Sequence, residues 1–209
     1  MLLPVEVLLT FFLVSTLLSL SPGPDNIFVL TQSIVNGARA GIVITLGLCT
    51  GLIFHSVAVA FGLATVFQTS PAAFTALTMM GAGYLLYLAW MSLRANDTYL
   101  IADKSAAADI AFMRLYRRGI IMNITNPKVA IFFLAFLPQF TIADQGNMAI
   151  QLLTLGAVFI LAALLVFCAI ASASGQLRQL FVSSKTVQKR LNVTAAVVFA
   201  LLALRLLLV

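Results

Sequence analysis

Residues 4–35 read PVEVLLTFFLVSTLLSLSPGPDNIFVLTQSIV, and the reading of this run decides the fold. Its 32 residues carry two charges, Glu6 and Asp25. As a single helix it would be about 48 Å long at 1.5 Å per residue, well beyond a hydrocarbon core of about 30 Å. The run therefore predicts a membrane span interrupted at Ser21-Pro22-Gly23-Pro24. Prolines remove backbone donors and bend a helix where they fall. Carbonyls freed in this way are tolerated in a membrane only where they are buried in protein or line a cavity. Pro24 suits the first position of a restarting helix. Asp25 and Asn26 then fall in its first turn.

The rest of the chain carries the same character. Of its 209 residues 62% are hydrophobic and 9% are charged, with a mean hydropathy of +1.11. A soluble domain carries roughly 25% charged residues; this chain lacks the polar side chains to cover its apolar surface. Apolar stretches cover residues 4–35, 40–66, 71–93, 117–140, 147–173 and 189–208. The expected fold class is all-α, a polytopic membrane bundle of six spans. Residues 1–21 hold no basic residue, so the N-terminus reads as the first span, retained, rather than as a cleaved signal peptide. Cys49 and Cys168 lie in apolar runs without metal-ligand spacing and read as buried small side chains.

Arg39, then Arg94, Lys104, Arg114, Arg117 and Arg118, then Arg178, Lys185, Lys189 and Arg190 all fall in alternate connections. These ten of the 12 basic residues define the cytoplasmic side and place both termini outside. The net charge of +6 is thereby explained by topology rather than by nucleic acid. Phe112 to Arg118 mixes apolar and basic side chains and reads as an interfacial helix end. Arg205 snorkels to the outer interface, and Lys128 is left within a span.

Lys128 follows a second break, Asn123-Ile124-Thr125-Asn126-Pro127, so spans 1 and 4 are both broken. Asn126 can cap a helix restarting at Pro127. Lys128 then stands in a first turn, where the helix dipole opposes a cation. A lysine at mid-span costs about 2.5–3.5 kcal/mol before compensation, and Asp25 is the expected partner. Paired breaks in corresponding positions divide the chain into two inverted three-helix repeats, 1–96 and 115–209, joined by a cytoplasmic linker at 97–114.

A buried Asp25–Lys128 pair that only pins the halves together is the bland reading. Against it, an intramembrane charge is a functional-site hypothesis by default, and two restarting N-termini form an anion site. Asp25 and free carbonyls can receive an ammonium, so the breaks suit a small anion or zwitterion. The substrate-site residues are then Asp25, Asn26, Asn123, Asn126 and Lys128, set by breaks at Pro22, Gly23, Pro24 and Pro127.

Thr50, Gly51 and His55 share one face of the second stretch. His55 is read either as a proton relay or as a residue that bonds a neighbouring helix. Thr50 is a candidate lining residue, and Gln139 marks the exit. Gly47 and Gly51 form a GxxxG, for packing inside the bundle or for a homodimer. No nucleophile–base set, paired cysteines or HExxH is present. The expectation is no enzyme, catalytic residue, metal or cofactor.

The ordered set Ser21-Pro22-Gly23-Pro24-Asp25, Gly47 to Gly51 with His55, Gly81-Ala82-Gly83-Tyr84, Arg118-Gly119 to Asn123-Ile124-Thr125-Asn126-Pro127-Lys128, Phe132-Phe133 and Leu137-Pro138-Gln139-Phe140 resembles the LysE/RhtB family of amino-acid exporters. The resemblance runs from about residue 10 to the C-terminus. It implies amino-acid efflux across the bacterial inner membrane by proton antiport. Aspartate after the proline-glycine-proline element resembles the neutral, threonine/homoserine branch. A passive pore for small zwitterions and an exporter of basic amino acids are the alternatives. Alternating access is expected, with the solute between the breaks and Asp25 taking up the proton.

Overall fold

A computed structural model describes residues 3–21, 23–63, 71–94, 111–142, 146–174 and 185–208. All secondary structure among them is helical: α1 (Val5–Leu20), α2 (Pro24–Asn36), α3 (Ala38–Ala58), α4 (Pro71–Arg94), α5 (Phe112–Ile124), α6 (Pro127–Ile131), α7 (Met148–Ser172) and α8 (Lys185–Leu207). A π-helical turn, Val59–Leu63, ends α3. α6 runs on through a π turn at Phe132–Phe136 and a 3-10 turn at Leu137–Phe140.

Three segments are long and apolar enough to cross a membrane: Ala38–Gly62, Thr75–Arg94 and Met148–Ser172. The count rises to five if each bent pair is one span. α1 and α2 meet at 62°, and α5 meets the Pro127–Phe140 segment at 49°. α1 stops at Leu20, Ser21 and Gly23 are extended, and α2 starts on Pro24. Pro22 lies outside the described residues. The second break has a different local cause. Asn126 adopts an extended conformation, and its side chain accepts from the Lys128 amide at 3.0 Å. A single glycine, Gly37, joins α2 to α3 at φ 84°, a left-handed conformation that a side chain would strain. The helix α5 begins at Phe112, so residues 112–114 of the linker region are its first turn; residues 97–110 lie outside the described residues.

The most extensive pairings are α3 with α5 and α4 with α8, followed by α3 with α7 and α1 with α7. Close approach of α3 and α5 depends on glycine. A Cβ on Gly119 would stand 2.6 Å from the Ile44 carbonyl oxygen, and one on Gly47 would collide with the Tyr116 carbonyl. The GxxxG of α3 therefore packs inside the bundle. α3 and α7 run antiparallel, because Gly41 lies against Ala171 and Gly156 against Ser56.

Rings fill one region of the core. Phe132 lies 4.9 Å from Phe136 and 5.3 Å from Phe159, and Phe11 lies 4.9 Å from Phe140. The exterior is equally apolar: Leu9, Leu13, Met80, Leu161, Leu165 and Leu201 are all more than half exposed. In water such a surface would aggregate; lipid matches it. Buried hydroxyls are mostly satisfied within their own helices. Ser15, Ser33, Thr45 and Ser56 each donate to the carbonyl four residues back, which removes the cost of burying them.

Candidate functional site

The two breaks face one small cavity of about 20 Å³, room for about one water molecule. Its polar lining side chains are Ser19, Asp25, Asn26, Asn123, Asn126 and Lys128. Gly23, Leu18, Leu52, Val129, Phe159 and Phe167 complete the lining.

Lys128 sits at the start of α6 and is only 8% exposed. Its Nζ donates to the Leu18 carbonyl at 2.9 Å and the Ser21 carbonyl at 3.0 Å, and lies 5.5 Å from the Phe199 ring centre. Both acceptors belong to the C-terminal end of α1, where carbonyls lack helical partners and the dipole favours a cation. The unfavourable dipole of α6 is thus offset by the favourable one of α1. An ammonium has three hydrogens, so one remains after these two bonds. Gly23 leaves room beside it: a Cβ there would lie 3.6 Å from Nζ.

This differs from the partner expected on sequence. Asp25 does not take the ammonium: its Oδ2 accepts from Asn123 Nδ2 at 3.5 Å, and its Oδ1 is buried without a partner. Backbone carbonyls at the α1 terminus are closer and already oriented. The carboxylate is left with an open lone-pair face. Asn123 Oδ1, Ser19 Oγ and Ser21 Oγ are likewise buried without partners. Thr31, Thr78 and Gln139 also hold a buried oxygen without a partner, but Ser19, Asp25 and Asn123 share one cavity lining. A buried polar group left unpaired costs about 1–3 kcal/mol, and three such oxygens stand on this lining.

The two restarting N-termini are not equivalent. The Lys128 amide at the start of α6 is capped by the Asn126 side chain. Gly23, at the start of α2, supplies no side-chain cap, and Pro24 has no N–H, so the Asp25 and Asn26 amides are the open donors of that turn. Asn26 Nδ2 donates to the Ser19 carbonyl at 2.6 Å, tying α2 back to α1 across the break.

Of His55, Thr50 and Gln139, none lines the cavity, whereas Gly23 of the first break does. His55 Nε2 lies 3.2 Å from the Asn123 carbonyl oxygen, and the ring lies 5.7 Å from that of Phe133. It bonds a neighbouring helix from behind the site. Thr50 Oγ1 lies 2.8 Å from Tyr116 Oη in the α3–α5 interface. Gln139 Nε2 donates to the Ala135 carbonyl at 3.3 Å, while its Oε1 is buried without a partner. Conversely, sequence reasoning missed Ser19, Ser21, Leu52, Phe159 and Phe167. The serines flank the first break and carried a usable signal. Phe159 and Phe167 lie in an unbroken apolar run and carried none.

A family profile described as "LysE type translocator" matches residues 16–209. The chain is 39% identical over 165 residues to the homoserine/homoserine lactone efflux protein of Salmonella typhimurium, covering 78% of this chain and 77% of that one. It is 34% identical over 137 residues to the leucine efflux protein of Salmonella choleraesuis, covering 63% and 61%. A third relative, the membrane protein YrhP of Bacillus subtilis, is 32% identical over 167 residues, covering 77% and 79%. No solved structure matches the chain. A broken-helix bundle with lipid-compatible walls and a cavity between its breaks, matched over nearly its full length, belongs to the LysE type translocator family, a family of amino-acid efflux proteins.

Proposed function

We propose that the chain exports a small neutral amino acid, threonine- or homoserine-like, across the bacterial inner membrane by proton antiport with alternating access. The observation that carries this reading is the set of unpartnered buried oxygens around one cavity that the Lys128 ammonium also lines. The third Lys128 hydrogen and the open α2 amides suit a carboxylate. Asp25 Oδ1, Asn123 Oδ1 and Ser19 Oγ suit an ammonium. The names of the homoserine and leucine relatives agree with a zwitterionic cargo.

Antiport follows from competition at one atom. Asp25 Oδ1 accepts either the solute ammonium or a proton, so release of one favours uptake of the other. A proton moving inward gains about 2.3 kcal/mol per 100 mV, enough to drive accumulation outside. We assign the proton to Asp25 rather than His55, because the His55 ring reaches the site only through the Asn123 backbone. The test uses everted vesicles with a pH-sensitive quench. Adding threonine, homoserine or leucine is expected to dissipate an imposed proton gradient. Asp25→Asn is expected to insert normally and lower that response at least 100-fold. Uptake that survives collapse of the gradient would instead favour the passive pore.

The transport mode rests on six spans arranged as inverted repeats 1–96 and 115–209 about the 97–114 linker. Exchanging the halves turns the α3–α5 pairing into α7–α1 and leaves α3–α7 and α4–α8 as pairs of equivalent helices. The antiparallel run of α3 and α7 is what such an inversion requires. The sixth span would be α8, whose apolar part, Asn192–Leu207, is short and is continued by Lys185 to Leu191. Rocking of one repeat on the other would then expose the cavity to each side in turn. The topology has its own test. Single cysteines at residues 97–110 are expected to resist an impermeant thiol reagent in intact cells, while cysteines at both termini react. The reverse pattern would refute the orientation.

A further inference from the structure

The apolar side chains that line the cavity are held unevenly. The two large rings, Phe159 and Phe167, both come from α7, eight residues and about 12 Å apart along the helix. Leu18, Leu52 and Val129 join them on the lining from α1, α3 and α6.

The two rings differ in what holds them. Phe159 is locked from behind: its centroid is 5.3 Å from Phe132 and 5.1 Å from Phe133, and both of those rings are fully buried in the π turn. Phe167 is buried, at 5% exposed, but makes no ring contact among the described residues. Phe159 is thus part of the aromatic core, whereas Phe167 stands apart from it.

We infer that Phe167 is a specificity-determining residue, which sets the size of the solute side chain, and that the surrounding apolar wall excludes charged ones. This rests on the cavity being the solute site. With the solute's carboxylate and ammonium held by the polar side chains, its own side chain would pack against the apolar ones. A lysine or arginine side chain would bring a second cation against them, and burying a charge without a partner is strongly disfavoured. That disfavours the basic-amino-acid alternative. Among neutral solutes, discrimination by an apolar wall is modest, about 10- to 200-fold for one methylene, so one ring can decide between small and large side chains.

The experiment compares purified wild type, Phe167→Ala, Phe167→Leu and Phe167→Trp in proteoliposomes, each loaded with a proton gradient and challenged with threonine, homoserine, leucine, phenylalanine and lysine. Wild type is expected to respond to neutral solutes and not to lysine. Phe167→Ala is expected to move the ratio of leucine or phenylalanine response to threonine response upward by at least tenfold. Phe167→Leu is expected to move it less and in the same direction, and Phe167→Trp in the opposite one. Detergent-solubilised protein provides an independent readout, since solute-dependent shifts in unfolding temperature should reorder in the same way. If Phe167→Ala does not insert, the opposed shifts of the leucine and tryptophan variants decide the matter. An unchanged ratio in every folded variant, with neutral solutes still exported, overturns the role of Phe167 and leaves the solute site standing. A wild-type protein that answers lysine as well as threonine overturns the apolar wall. A wild type that answers none of the solutes overturns the proposed function itself.

Discussion

Replacing Lys128 with methionine is expected to abolish export, by at least 100-fold, in a protein that still reaches the membrane. Methionine matches the stem of lysine in length and lacks the ammonium. The substitution removes the only side-chain cation on the cavity lining among the described residues, and with it one of the two groups that suit a carboxylate. Its effect on folding is smaller because two terms oppose. The Leu18 and Ser21 carbonyls lose their donor, at about 1–3 kcal/mol for each buried group left unpaired. A buried charge also disappears, and its desolvation penalty with it. Transport in reconstituted vesicles, set against the amount of protein recovered from the membrane, separates the two effects. Full export by the methionine variant would remove Lys128 from the site.

The largest effect on assembly is expected at Gly47. A Cβ there would collide with the Tyr116 backbone carbonyl, and the Gly119 Cα lies only 3.2 Å from the same point. Backbone cannot rotate away as a side chain can, so Gly47→Ala must separate α3 from α5. Overpacking of this kind costs about 1–3 kcal/mol. The displacement would also move Asn123, which packs against Gly51 one turn along α3. Gly83→Ala provides the contrast. Gly83 lies within α4, is exposed and has nothing within 4 Å of the point that an added methyl group would occupy. There the higher helix propensity of alanine is worth about 1 kcal/mol. Thermal unfolding in detergent should therefore fall for Gly47→Ala and hold or rise for Gly83→Ala. Equal behaviour of the two would mean that the α3–α5 contact is not close in the folded protein.

How far the site was legible in the sequence varied from residue to residue. Asp25, Asn26, Asn123, Asn126 and Lys128 announce themselves, because a polar or charged group in an apolar run is costly and must have a reason. The cavity lining includes all five. Their pairing did not follow. Opposite charges suggest each other on paper, yet the ammonium of Lys128 rests on the exposed carbonyls of α1. Backbone acceptors have no side-chain identity to read. His55 and Thr50 failed as lining residues for a related reason. Helical spacing puts them on one face, but which neighbour that face meets depends on the crossing of α3 with α5. Phe159 and Phe167 were invisible, being ordinary apolar residues in an apolar helix.

The chain's amino-acid order alone determined its solvent, its helicity and the location of both interruptions. Hydropathy is a property of composition, and proline's missing donor acts on its own segment whatever surrounds it. Only the packed bundle decided that the interruptions share a cavity, that α6 is capped while α2 is left open, and that Asp25 keeps an unpartnered oxygen. Those outcomes depend on contacts between residues about a hundred positions apart. In lipid, where polar groups cannot fall back on water, such contacts settle which of them are satisfied and which are left without a partner.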